Sequence, residues 1–360
     1  MLEKKIIETT LKLMRFPSVK GNYQQKKAII EYVGSDCAKS GLAVEYFEHN
    51  QQPAVVISMN KKRKQKIFLN GHLDVVPAKE EDFIPRLEKD KIFGRGAGDM
   101  KAACAVMIET LKNFSQKKKK MPIGLMLTTD EEIGGQDGAG FLLKNYDFSS
   151  DIAIIPDGGQ GLHQIITHQK GVLHLKLTAT GKAAHGARPF LGENAIEKLL
   201  KAYQEIKTIF SEASKTDNWK NTLNLGKIGG GEAVNKVPDY AEMYLDIRYT
   251  KKENREEILK KIEQISENFQ IIGEGLPFIQ ERHSLVDEFK NCMENHLQKK
   301  ISFAKVEGAS DGRFFSEKGI PTVITKIKEG NIHGENEWVD RKEMMIFQKG
   351  LVEFINNFCR

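Results

Sequence analysis

Cysteine is scarce in this chain. Its four copies, Cys37, Cys104, Cys292 and Cys359, are scattered through 360 residues with no C-x-x-C pair. That argues against an oxidised, disulfide-built protein and fits a reducing compartment. Long apolar runs are missing too. No stretch approaches the ~18–20 apolar residues needed to span a bilayer. The segment MLEKKIIETTLKLM lacks an uninterrupted apolar core, so it reads as a charged amphipathic helix and not as a secretory signal. These absences predict a cytoplasmic protein with no membrane partner. The formal charge is +6, but much of it sits in short runs, Lys61-Lys62-Arg63-Lys64 and Lys117 to Lys120. No aromatic residues interleave with them and no reader motif accompanies them, which argues against nucleic acid as a partner.

What is present is an ordinary globular composition long enough for two domains. Leu2, Ile6, Ile7, Leu11 and Met14 recur at helical spacing, as do Ala28, Ile29, Tyr32, Val33 and Cys37. Apolar β-rich runs follow at Val55 to Met59, Ile67 to Leu69, Ile123 to Thr128 and Ile152 to Ile155, with a helical pattern from Met100 to Phe114. Continuous apolar strands alternating with helices predict an α/β domain with a mainly parallel sheet flanked by helices. From about residue 170 the pattern changes. VLHLKLTATG and YAEMYLDIRY alternate apolar and polar residues, as strands with one wet face do. Long amphipathic helices are expected at roughly 193–213 and 252–269. The expected organisation is a catalytic domain of residues 1–169 and 285–360, with an α+β domain of residues 170–284 inserted.

Each expected strand of the first domain ends in an unusual polar group. Ile67 to Leu69 leads into His72 and Asp74. Ile123 to Thr129 leads into Asp130-Glu131-Glu132, and Ile152 to Pro156 into Asp157. Thr322 to Ile327 is followed, after a short loop, by His333. In parallel sheets, sites lie beyond the carboxyl ends of the strands, so these residues should converge on one rim. Asp99 joins them, between FGRGAG and a helix. Clustered acids repel unless a cation is present. Histidine with carboxylate suits Zn²⁺, Mn²⁺ or Co²⁺, and two histidines with three carboxylates can hold two ions if one carboxylate bridges. Asp74, two residues along an extended chain from His72, can orient the imidazole. Of Glu131 and Glu132, one can bind metal while the other stays free as a general base. GRGAGDMK is not a dinucleotide loop, because its glycines run G-x-G-x-G.

Together GHLDVVP, GRGAGDMK, TTDEEIGG, AAHGARPFLGENA, NKVPDYAEMYLDIRY, GASDGRFF and IHGENEWV resemble, in order, a known family. It is the co-catalytic zinc amidohydrolases and exopeptidases of metallopeptidase clan MH. They include succinyl-diaminopimelate desuccinylase, acetylornithine deacetylase, aminoacylase and several di- and tripeptidases. The resemblance implies that Asp99 bridges two divalent ions, zinc first, with cobalt or manganese as alternatives. His72 and Asp157 would complete one position, and Glu132 and His333 the other. It implies Glu131 as general base to a metal-bridged water, with Asp74 orienting His72. It implies that His185 reaches a partner subunit's active site, so that the inserted domain is a lid and homodimer interface. Asn235, Arg248 and Arg313 would line a pocket for a substrate carboxylate. The expected reaction is amide hydrolysis of small N-acyl amino acids. Di- or tripeptide cleavage is the alternative, since Asp157 stands where the deacylases usually carry Glu. A non-catalytic metal-binding scaffold is the rival class. Such chains lose the base or a ligand, whereas Glu131 and all five candidate ligands are present here.

Overall fold

The computed structural model describes residues 1–117, 121–266 and 268–359. Lys118 to Lys120 of the second basic run lie outside the described residues. The chain forms two compact units. One comprises Met1–His168, Ile279–Val306 and Ser310–Arg360, and the other Gln169–Phe278 with Glu307–Ala309.

The first unit is built on a sheet whose centre is parallel. Lys64–His72 pairs in parallel with Ile123–Thr128 on one side and Ser149–Ile155 on the other, and Thr322–Ile324 adds in parallel to Ser149–Ile155. The flank is antiparallel. Ala43–His49 pairs with Gln52–Ser58, which pairs with Ile123–Thr128. The central strands are apolar along their length because both faces are covered. Ile67, Leu69, Ile123, Leu125, Ile152 and Ile154 join one core with the buried stripes of Leu2–Met14, Ala102–Gln116 and Arg341–Phe358. That core fixes where each central strand ends, and therefore where the polar residues after it emerge.

The second unit is a four-stranded antiparallel sheet. Gly171–Thr180 lies between Tyr240–Tyr249 and Phe269–Gly275, with Thr222–Gly230 outside Tyr240–Tyr249. Leu173, Leu175 and Leu177 face Met243, Leu245 and Ile247 across the ladder, and all are buried against Leu199, Ile206, Ile258 and Ile262. Both helices are shorter than their apolar periodicity suggests. The first runs Ala195–Lys207, capped by the Asn194 side chain, and the second Lys252–Ile265. Beyond each end, Ser211 to Ser214 and Ser266 offer polar side chains that compete for backbone hydrogen bonds.

Candidate metal centre

His72 is the last residue of the central strand and lies opposite Thr128 in the parallel register. The next residues of the two neighbouring strands therefore open on the same edge. Asp130 begins the short Glu131–Ile133 turn there, and Asp157 follows Ser149–Ile155. Asp99 sits just before the helix Ala102–Gln116. His333 comes from the loop after Glu329–Gly330, and its side chain is 49% exposed.

These five residues form two overlapping groups, each with its ligand atoms within 4.8 Å of one another: His72, Asp99 and Asp157, and Asp99, Glu132 and His333. Asp99 belongs to both and turns one oxygen to each. Its Oδ1 is 3.1 Å from His72 Nε2, and its Oδ2 is 3.2 Å from His333 Nε2. His333 Nε2 is also 3.3 Å from Glu132 Oε1, a buried oxygen that no donor among the described residues reaches with hydrogen-bond geometry. Buried carboxylates gathered around two imidazoles, with an acceptor left over, fit divalent cations. Glu131 stands outside both groups. Its Oε2 is 3.9 Å from His72 Nε2 and its side chain is 14% exposed.

The Asp74 contact differs in detail from the simple pairing expected. His72 Nδ1 is 3.0 Å from the Asp74 backbone carbonyl and 3.5 Å from Oδ1 of its carboxylate. The carboxylate is turned to accept the Glu132 N–H at 3.1 Å. Asp74 thus ties the His72 imidazole to the Glu131–Glu132 turn.

Several groups around the site were not evident from the sequence. Glu337 is buried and accepts hydrogen bonds from the Gly98 and Asp99 amides at 2.8 and 3.1 Å, while Arg95 donates to its other oxygen at 2.6 Å. It fixes the backbone that presents Asp99. Lys326 is buried among Asp99, Asp157 and Glu329. Glu329 packs so closely on Gly98 that a Cβ there would meet its carboxylate. Asp311 is buried beside Thr128, whose hydroxyl donates to it at 3.3 Å. The only local cue for Glu337 is its place in the HGENEW motif, and Lys326 has none.

The field at the site is uneven. Burial works against the charged form of Asp99, but Lys326, His333 and His72 more than offset it and hold its carboxyl well below the usual range. Contacts with Asp99 and Glu132 push His333 up to about 10. His72 is raised as well, because hydrogen bonds to Asp74 and Asp99 outweigh its burial. Glu131 goes the other way from Asp99. Burial, then the neighbouring Asp157, push it well above an ordinary glutamate.

Arg313 is buried and donates to the Gly134 carbonyl at 2.5 Å, so it braces the turn that carries Glu131 and Glu132. The remaining candidates lie in the second unit. His185 pairs with Lys236 in an isolated antiparallel bridge, and its Nδ1 accepts the Ala187 N–H at 3.1 Å. Gly186 donates to the Asn235 carbonyl, so His185 and Asn235 share one small backbone fold. Arg248 is half-buried and donates to both oxygens of Asp246, at 2.8 and 3.3 Å. His49, His174 and His296 pair with Asp137, Asp246 and Glu353, and His283 caps the helix Ser284–Leu297.

Residues 68–357 match the family described as peptidase family M20/M25/M40. This chain belongs to that family. Family M20/M25/M40 membership makes it a metallohydrolase of amide or peptide bonds, and divalent ions are implied for the two residue groups above. An uncharacterised metallohydrolase of Methanocaldococcus jannaschii is 24% identical, covering 89% of this chain and 88% of the relative. Two solved structures share the fold. A metallo-carboxypeptidase from Sulfolobus solfataricus superposes with a TM-score of 0.82 at 19% identity, covering 98% of this chain and 99% of the other. A Staphylococcus aureus tripeptidase superposes with a TM-score of 0.77 at 21% identity, covering 99% of both chains.

Proposed function

We propose that this chain hydrolyses the terminal amide bond of small, carboxylate-bearing substrates, short peptides ahead of N-acyl amino acids. The observation that carries the chemistry is the free Glu131 carboxylate beside two three-residue groups that share Asp99. Two points favour peptides. Asp157 is the shorter acid that dipeptidase-type members more often carry, and a carboxypeptidase and a tripeptidase are among the similar solved structures. The SDGRFF segment, close to a desuccinylase pattern, keeps N-acyl amino acids as the second reading.

His72 and Asp157 would hold one ion, Glu132 and His333 the other, and Asp99 both. Zinc is the first choice for this donor set. Bound there, the ions would supply a water that ionises near neutrality and would polarise the scissile carbonyl. Glu131 takes the proton of the attacking water and returns it to the leaving amine. Asp74 keeps the His72 ring and the Glu131 turn in register with each other. His185 would steady the developing oxyanion from the second subunit of a homodimer. Asn235 and Arg248 would receive the substrate carboxylate, Arg248 by exchanging its partner Asp246 for substrate. The cytoplasm is the proposed compartment, given the free thiols.

The test is amine release by zinc-loaded protein on matched di- and tripeptides and on N-acetyl, N-succinyl and N-formyl amino acids. Peptide turnover alone supports the first reading, and turnover of acylated amino acids alone replaces it with the second. Glu131→Gln should lower kcat by more than ~100-fold with metal content unchanged. Full activity in that variant would remove Glu131 from the mechanism.

A further inference from the structure

Lys326 follows the strand Thr322–Ile324, and its side chain is almost fully buried. Its ammonium is 3.5 Å from Asp157 Oδ1, 3.7 Å from Asp99 Oδ1 and 3.7 Å from Glu329 Oε2. The two ligand carboxylates it touches both belong to the His72 group. Moreover, the Asp99 oxygen it approaches is Oδ1, the one that faces His72 at 3.1 Å. The other oxygen faces His333. Among the described residues, no lysine or arginine nitrogen is within 4.0 Å of Glu132. A permanent cation therefore stands against both carboxylates of one metal position and, in the other, against the shared Asp99 alone.

We propose that Lys326 makes the two positions unequal: the Asp99–Glu132–His333 position fills first and tightly, and the His72–Asp99–Asp157 position fills second and weakly. The inference rests on the ligand assignment made above. An ammonium and a divalent ion drawn to the same carboxylate oxygens repel each other, and burial leaves little water to screen them. Glu329 offsets part of that charge, but it is held against Lys326 and Gly98 and is not a member of either group of ligand atoms. The second ion then comes and goes over a range of free metal in which the first stays bound. Hydrolytic capacity would follow metal supply.

The test uses full-length protein stripped with a chelator and titrated with Zn²⁺ by calorimetry, with a competing chelator to resolve the tight step. Wild type should bind two ions in separate steps. His72→Ala should remove only the weaker one. Lys326→Met should tighten the second step at least ~10-fold and the first by much less. Lys326→Gln serves the same purpose if circular dichroism shows the methionine variant unfolded. An unchanged second step in the folded variant overturns the proposal. A weakened one also overturns it, and makes Lys326 a donor that orients Asp157. Loss of the tighter step in His72→Ala reverses the order and likewise refutes it. Wild type that binds no zinc would instead refute the ligand assignment, and the proposal with it.

Discussion

Two ion pairs in this protein have the same length and opposite surroundings. Arg95 Nη1 and Glu337 Oε2 are 2.6 Å apart with side chains 4% and 1% exposed. Lys79 Nζ and Glu335 Oε1 are also 2.6 Å apart, with side chains 62% and 72% exposed. Distance alone would rank them equal. Burial does not. Glu337 accepts from three donors, yet burial still pushes its carboxyl above the ordinary value. The pair is therefore a poor source of net stability. What is expensive is breaking it, because Arg95 would be left charged, buried and uncompensated. Removing one partner of such a pair costs about 3–5 kcal/mol. Glu337→Gln retains an acceptor for the Gly98 and Asp99 amides, so the lower end applies. About 3 kcal/mol is on the order of a 100-fold change in the folding equilibrium. Glu335→Gln should change nothing measurable, since exposed pairs are screened and entropically loose. Urea denaturation of chelator-treated protein, with the m-value held constant, reads both. Replacing both partners, Arg95→Met with Glu337→Met, should recover part of the loss. Glu337 also holds the backbone of Asp99, the candidate ligand shared by both groups, so Glu337→Gln should weaken zinc binding by roughly 10–100-fold. Equal stability and equal zinc affinity for Glu337→Gln and wild type would refute the argument.

Two further outcomes follow from groups that are not among the candidate ligands. Burial pushes the Cys37 and Cys104 thiols up to about 12 and closes both from solvent. Neither should react with a thiol reagent at pH 8 until urea is added, and rapid labelling of the native protein would contradict that. Glu294 accepts from Lys290 at 2.7 Å, the Ile301 amide at 2.7 Å and Lys300 at 3.1 Å, which lower its carboxyl to about 2. A folded value below the unfolded one gives stability that is present above about pH 4.5 and lost as pH falls to about 2. Glu294→Gln should therefore lower the urea midpoint at pH 7, and the gap to wild type should close by pH 2. A gap that does not shrink with acidification would show that the carboxylate's charge is not its source.

Much of the site was legible because parallel strands share an end. His72, Glu132 and Asp157 are far apart in sequence, but each follows an apolar run whose register the core fixes. The alternation of VLHLKLTATG was legible for a related reason. One wet face imposes a period of two, and Leu173, Leu175 and Leu177 are fully buried as it requires. The strand Ala43–His49 was not seen. It is only partly buried, so its alternation is faint, and its hairpin turns through Asn50 and Gln51, both at positive φ, without a glycine to mark it. The antiparallel flank of the sheet went unseen with it.

The groups that set the electrical character of the metal centre were hidden for a deeper reason. Ligands are recognisable by type, since few residues bind metal. The residues that tune ligands can be any donor or acceptor, and only the fold shows which are near. Lys326 in TKIKEG reads as one more solvated lysine, yet it meets Asp157 from 169 residues away. Glu337 meets the Gly98 amide from 239 residues away. Their burial depends on how the last third of the first unit closes over the rim, and no local period encodes that. Sequence could therefore name five candidate ligands and a candidate base, but it treats the two positions as equivalent. The asymmetry comes from a lysine that touches Asp99 on one oxygen only, and the zinc titration of Lys326→Met measures that asymmetry directly.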